Sequence, residues 1–344
     1  MSEKITIEDV AKKCEVAPST VSRVFNNKGR IADATKEKVL KVAEEMGFRP
    51  RKYTKKKTKV KNINIVFVKS AVSGNPNPFY GPVMKGLEKS LKKRNFNLLF
   101  NTISENAHPT SDTVNTIINS ESSGIILVGC GINKKIITKI KRAGKPLVLL
   151  DNEIWDEDIN CIINDNIAGA RKVVKYLTDL GHREIGFIGG PLSHISFDQR
   201  YIGYKKALKD AGIKKNDKYI RFCQPEEEYS LEGYEVTKKL LNNINDIPTA
   251  FFVANDELAV GVLKAIKRNG YKVPGDISIV GFDDIDMARH TSPPLTTVKI
   301  FKERMGIHAG KRLVELINKE FIEAIKLVLS VKLIKRESTC PPKL

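Results

Sequence analysis

Apolar positions change their spacing along the chain, and each change marks a boundary. Over the first 48 residues they recur at helical intervals. Ile7, Val10 and Ala11 share one face. Val21, Val24 and Phe25 share a second. Val39, Leu40, Val42, Ala43 and Met46 form a third stripe, over a helix expected at 33–46 and stopped by Gly47. Residues 49–61, RPRKYTKKKTKVK, then offer only Tyr53 and Val60 as sizeable apolar groups. From Ile63 onward short apolar runs alternate with amphipathic stretches. The runs at 63–68, 97–100, 124–128, 146–150, 161–163, 185–188, 250–253 and 277–281 read as strands. Helical patterns at 80–94, 134–143, 168–180, 200–211, 231–241 and 257–269 separate most of them. Strands alternating with helices imply parallel sheets of right-handed βαβ units, and so many strands imply two α/β lobes. Ligands bind such sheets at the carboxyl ends of the strands, where two facing lobes form a cleft.

Local chemistry sharpens the first segment. Thr6 and Asp9 have the spacing of a capping box, and Ile5 and Val10 that of a hydrophobic staple. The helical pattern breaks at Cys14 and Glu15. Pro18 then opens a second helix, where a missing N–H costs nothing. Asn26-Asn27-Lys28-Gly29 reads as a turn. Two short helices joined by a tight turn can form an ordinary helical hairpin or set the second helix in a DNA major groove.

At 344 residues and a net charge of +19, the chain is long enough for two or three domains and suited to a polyanionic partner. Residues 1–62 carry 17 Lys and Arg against 8 Asp and Glu, about half of that excess. The dense basic run at 49–61 suits both a solvated linker and phosphate contact with counterion release. Cys14, Cys130, Cys161, Cys223 and Cys340 are scattered, with no C-x-x-C, which argues for a reducing compartment and against a zinc site or disulfide framework. No apolar leader precedes the helices and no run approaches a membrane span, so a soluble cytoplasmic protein is expected.

The wording of the head decides between a hairpin and a DNA reader. I-x-D-V-A at 7–11, followed by V-x-x-S-T-V-S-R-V-x-N at 16–26, closely resembles the head of LacI/GalR-family transcription regulators. The resemblance runs through nearly the whole chain. It implies that Pro18 and Ser19 face base edges, that Arg23 reaches base or backbone, and that Thr20, Ser22 and Asn26 contact phosphates. Thr6, Arg30, Arg49 and Lys55 complete the DNA-binding set. Ala17 stands where relatives often carry a phosphate-contacting serine. The connector matches the family's hinge at Arg49 and Pro50 but lacks its alanine and the leucine that wedges into the minor groove and kinks the duplex in relatives.

The same resemblance places a ligand site. Asn77-Pro78-Phe79-Tyr80 follows the first strand, with Phe79 and Tyr80 either facing the ligand or packing in the core. Asp165 follows another strand, where it can accept paired hydroxyls or cap the next helix. GFIGGPLSHISFDQRYIGYKKAL matches the family segment whose arginine, here Arg200, grips ring hydroxyls or a carboxylate. His194 and Ser196 occupy selectivity positions. Asn255 in VANDELAVG and Asp283 in VGFDD end strands, where they can face the ligand or serve as caps or turn residues. Tyr229 corresponds to a stacking aromatic, at a spacing to Gly233 one residue shorter than usual. HTSPPLTTV at 290–298 resembles the crossover back to the first lobe.

The expected molecule is an α/β protein. A helix-turn-helix head at 1–48 and a basic hinge at 49–61 precede a two-lobed periplasmic-binding-protein-like core at 62–340. Lobe 1 is expected at about 62–164 plus 291–322, and lobe 2 at about 165–290 plus 323–340. The expected function is that of a homodimeric repressor on a pseudo-palindromic operator in double-stranded DNA, released by a small sugar, with no cofactor, metal site or membrane partner. A corepressor-dependent regulator answering to a purine or phosphorylated protein is the alternative within the family. A sugar-binding transport protein would fit the lobes but not the head. An enzyme would need a nucleophile–base pair, a metal spacing or a phosphate loop, none of which the sequence supplies.

Overall fold

A computed structural model describes residues 5–26, 29, 31–48, 61–68, 78–104, 107–129, 131–224 and 229–343. The chain separates into two compact units, Met1–Val60 and Lys61–Leu344.

In the first unit, the expected capping box starts helix α1 (Ile7–Cys14). The Thr6 hydroxyl oxygen accepts from the Asp9 amide at 3.3 Å, and the Asp9 carboxylate accepts from the Thr6 amide at 2.8 Å. Donation from the Thr6 hydroxyl, and then from its amide, holds the Asp9 carboxyl below its ordinary value. Glu15 ends the helix in the left-handed region, at φ 57°. Pro18 opens α2 (Pro18–Phe25), which Ala17 precedes without a side-chain cap, and α3 spans Asp33–Glu45. Val10, Ala11, Cys14, Val21, Val24, Val39 and Ala43 close one small core. One expectation fails here: Leu40 lies outside the inward stripe at 42% exposure. Ile5, ahead of the capping box, is 37% exposed. Of the expected hinge at 49–61, residues 49–60, with Arg49 and Lys55, lie outside the described residues, as does Arg30, and Lys61 already belongs to the first strand of the second unit.

The second unit holds two sheets. In chain order its strands are β1 (Lys61–Val68), β2 (Phe96–Ile103), β3 (Ser122–Val128), β4 (Leu147–Leu150), β5 (Asn160–Asn164) and β6 (Ile185–Gly189). They continue with β7 (Ile220–Phe222), β8 (Ala250–Val253), β9 (Ser278–Asp283), β10 (Thr296–Lys299), β11 (Lys326–Leu329) and β12 (Lys332–Ile334). One sheet runs β11-β5-β4-β3-β1-β2, the other β12-β10-β9-β8-β6-β7. Pairing is parallel throughout, save for the antiparallel β10–β12 pair. The helices are α4 (Tyr80–Lys92), α5 (Asp112–Asn119), α6 (Lys134–Arg142), α7 (Asn166–Asp179), α8 (Ile195–Asp210), α9 (Tyr229–Asn242), α10 (Asp256–Arg268), α11 (Met287–His290) and α12 (Lys302–Asn318).

Strand pairing revises the expected lobe boundaries. Thr296–Lys299 pairs with β9 and so belongs to the second lobe, whereas Lys326–Leu329 pairs with β5 in the first. The chain therefore crosses between lobes after β5, between β10 and α12, and between β11 and β12. The segment at 290–298 precedes the crossover instead of making it. Sequence pattern missed α12 because Gly306, Gly310 and the buried Lys302 and Arg312 interrupt its apolar face.

Those glycines have a packing role. A Cβ on Gly306 would lie 2.0 Å from the Val83 carbonyl oxygen, and one on Gly86 equally close to that of Glu303. Helices α12 and α4 thus meet backbone to backbone, which any larger residue would force apart. Gly306→Ala is expected to cost the core about 1–3 kcal/mol, read as a lower calorimetric Tm.

Candidate functional site

In the head, α2 presents a polar face opposite its buried Val21 and Val24. Pro18, Ser19 and Arg23 are exposed, and Thr20 and Ser22 are half-buried. Asn26 folds back on the helix end, donating to the Ser22 carbonyl at 2.7 Å. The Thr6 hydroxyl donates to Asp9 at 2.7 Å, within the capping box. This is a short helix with hydrogen-bonding groups and one cation outward, anchored by a small apolar core.

In the second unit, the candidate residues gather at the carboxyl ends of the strands, as parallel sheets dictate. Phe79 and Tyr80 follow β1 and open α4. His194, Ser196 and Arg200 follow β6. Asn255 follows β8, and Asp283 ends β9. With Tyr229 at the start of α9, all eight line one cavity of about 90 Å³. Asp165 does not line it. Its carboxylate accepts from the Ala168 amide at 2.9 Å and caps α7, the other use its position allowed.

The sequence reading missed Asp151, which also lines the cavity. The signal was present, since Asp151 follows the apolar run of β4 just as Asp283 ends that of β9. Its backbone is left-handed, at φ 59°. Its side chain ties the two lobes together. Ser196 of the second lobe donates to one carboxylate oxygen at 3.3 Å, and the Tyr80 hydroxyl of the first lobe to the other at 3.5 Å. Close by, Gln199 of the second lobe donates to Glu153 of the first at 2.6 Å.

Arg200 is the central cation. It is 3% exposed. Its Nε donates to Asn166 at 3.0 Å and its Nη1 to the Ala254 carbonyl at 2.6 Å. The guanidinium carbon stacks 3.9 Å from the Phe282 ring centroid. Nη2 lies 2.9 Å from Asp283 Oδ1, close enough for an ion pair but off the axis of a hydrogen bond. Burial raises the Asp283 carboxyl above its ordinary value, against the pull of Arg200 and Lys302. Burial likewise lifts Asp151 to about 7, with Arg200 opposing and Asp283 adding to the rise.

Beneath the cavity floor, fully buried Asp256 accepts from the Ile285 amide at 3.0 Å and the Thr297 hydroxyl at 2.6 Å. Burial, reinforced by Asp283, raises it to about 8. Lys302, at the start of α12, donates to the Asp283 and Asp284 carbonyls, so a first-lobe helix grips the end of β9. Among the described residues no His, Cys, Asp and Glu cluster could hold a metal ion, and no helix is long and apolar enough to cross a membrane. The cavity can accept and donate hydrogen bonds around a small polar molecule while Phe79, Tyr80, Phe197 and Tyr229 supply apolar faces.

Comparison with known proteins covers both units of the chain. Residues 6–51 match the family described as bacterial regulatory proteins, lacI family, and residues 174–339 match a periplasmic binding protein-like domain. The ribose operon repressor of Haemophilus influenzae is 32% identical, over 97% of this chain and 98% of that protein. This chain belongs to the LacI family. It is a DNA-binding transcription regulator with a ligand-binding domain, in a family that consists of regulators and not enzymes. A transcriptional regulator CelR–cellobiose complex superposes with a TM-score of 0.72 at 28% identity, covering 97% of this chain and 99% of that one. A lac repressor dimer bound to operator and the anti-inducer ONPF gives 0.72 at 26% identity, covering 98% and 100%.

In this LacI-family core, Arg200 balances buried carboxylates. Arg200→Ala should leave Asp283 unpaired and cost about 3–5 kcal/mol, measured by denaturant unfolding. Arg200→Ala combined with Asp283→Asn should recover part of that loss, because no uncompensated charge remains.

Proposed function

We propose that this regulator is a cytoplasmic, homodimeric repressor of carbohydrate-utilisation genes, released from a pseudo-palindromic operator by a small neutral sugar in the interlobe cleft. The observation that carries the ligand assignment is the charge balance of the cavity. Arg200 already faces Asp283 and Asp151, and Glu257 adds a further carboxylate to the lining. Among the described lining residues no surplus positive charge is left to hold a phosphate or a sugar acid. The carboxylates, Asn255 and Ser196 suit hydroxyls, and the aromatic rings suit the apolar faces of a sugar ring. A ribose operon repressor and a cellobiose-bound regulator among the relatives support the same chemistry.

On the DNA side, Pro18 and Ser19 face base edges and Arg23 reaches a base or phosphate. Thr20, Ser22, Asn26 and Thr6 contact or orient toward the backbone, aided by Arg30, Arg49 and Lys55. In the cleft, Phe79, Tyr80, His194, Ser196, Arg200, Tyr229, Asn255 and Asp283 contact the ligand, together with Asp151. Binding without turnover is the expected chemistry. Sugar bridging the lobes changes their geometry, and that change is linked to the head's DNA affinity. A coupling of about 1–3 kcal/mol would change affinity roughly 5–150-fold.

Anisotropy with the protein's own promoter DNA, at fixed salt, tests this reading against a panel of neutral sugars, purines and phosphosugars. A neutral sugar should weaken binding. A purine or phosphosugar that strengthens it would establish a corepressor instead, and no specific binding at all would leave a sugar-binding protein without a regulatory role. Arg23→Ala should weaken operator binding by about 1–3 kcal/mol and leave sugar affinity unchanged.

Cleft binding should also depend on pH. Sugar hydroxyls donate to ionised Asp151, so binding releases the proton that the empty site holds below about 7. Sugar affinity should rise between pH 6 and 7, by at most about tenfold per unit, and level off above pH 8. Calorimetric titration of wild type and Asp151→Asn checks this, with the variant expected to lose the slope.

A further inference from the structure

We infer that the effector is a disaccharide or longer oligosaccharide whose second ring occupies an outer chamber of the cleft and stacks on Trp155. This rests on the sugar-binding reading above and specifies the class of sugar.

The inner cavity, at about 90 Å³, is well below the roughly 300–1,000 Å³ of ordinary small-molecule sites. A second chamber of about 550 Å³ lies beside it, within that range, and His194 lines both. It too spans the lobes, with 131–137 and 152–156 on one side and 193–195 on the other.

Its chemistry is that of a sugar subsite. Trp155 is the chain's sole tryptophan, and it stands 73% exposed at the chamber, although large aromatic rings are usually well buried. The Lys326 ammonium lies 5.0 Å from its ring centroid, which leaves the opposite ring face for a ligand. Lys326 is in turn paired with Glu153, so the indole's loop is anchored to β11. Around it stand short polar side chains with capacity to spare. Asn133 uses its amide oxygen on the Lys135 amide and keeps its amide nitrogen. Asn152 donates to the Gly129 carbonyl and keeps its amide oxygen. Exposed Asp156 is paired with Lys134 at the rim. A flat apolar platform among amide donors and acceptors matches a pyranose, whose ring faces are apolar and whose edges carry hydroxyls.

The sole tryptophan makes the test direct. Intrinsic fluorescence of the full chain is titrated with cellobiose, maltose, lactose and sucrose, and with glucose, galactose, fructose and ribose. A disaccharide should bind at least about tenfold tighter than its component monosaccharides and shift the tryptophan emission. Calorimetry on Trp155→Ala should then show disaccharide affinity falling about tenfold, toward that of the monosaccharide, whose own affinity stays within about twofold. Trp155→Phe should restore most of the loss. Monosaccharides that bind as tightly as disaccharides, or a Trp155→Ala variant that binds disaccharides normally, would overturn the proposal and leave the sugar-responsive reading intact. Failure of every sugar in the panel to bind would overturn both.

Discussion

The cleft depends on one constraint: a guanidinium and several carboxylates are held out of water, so they must satisfy one another. Arg200 comes from α8 of the second lobe, Asp283 from the end of β9 in the same lobe, and Asp151 from the end of β4 in the first. A buried ion left alone costs several kcal/mol, which holds these groups in one arrangement. That arrangement is only partly satisfied. Asp283 Oδ1 has an ion-pair contact without an aligned donor, and Asp151 sits near the midpoint of its titration at neutral pH. A hydroxyl donor placed in the cavity would complete Asp283 Oδ1.

The same constraint connects the lobes. Asp151 accepts from Ser196 across the cleft, Glu153 accepts from Gln199, and Lys302 carries the first lobe's last helix to the end of β9. The glycine-lined contact between α12 and α4 fixes that helix rigidly to its own lobe. Lys302 and Asp151 are thus the points at which a movement of one lobe against the other would be felt. Only a small differential affinity is needed, since about 1.4 kcal/mol already changes an equilibrium tenfold.

Much of this was legible in the sequence, for physical reasons that differ by region. Core strands such as β8, AFFV, are apolar on both faces and could be bounded to the residue. The edge strands β11 and β12 alternate with lysine and solvent, and they gave no such signal. Helix α12 was hidden because it packs through glycines. The lobe boundary was misplaced because 290–298 resembled the crossover itself, whereas 296–299 pairs with β9. In the site, residues within long motifs, from Phe79 to Asp283, converged on one cavity. Asp165 and Asp151 occupy equivalent sequence positions after apolar strands, and only tertiary structure tells the helix cap from the cleft carboxylate. Trp155 carried no motif, and its significance depends on which loop it faces.

The central claim is that cleft and head share one linkage, and linkage is reciprocal. The most direct test is to titrate the effector sugar calorimetrically into the free protein and into its saturated operator complex. The account predicts weaker sugar binding to the operator-bound protein, by the same factor with which the sugar weakens DNA binding. Equal affinities in the two titrations would contradict it.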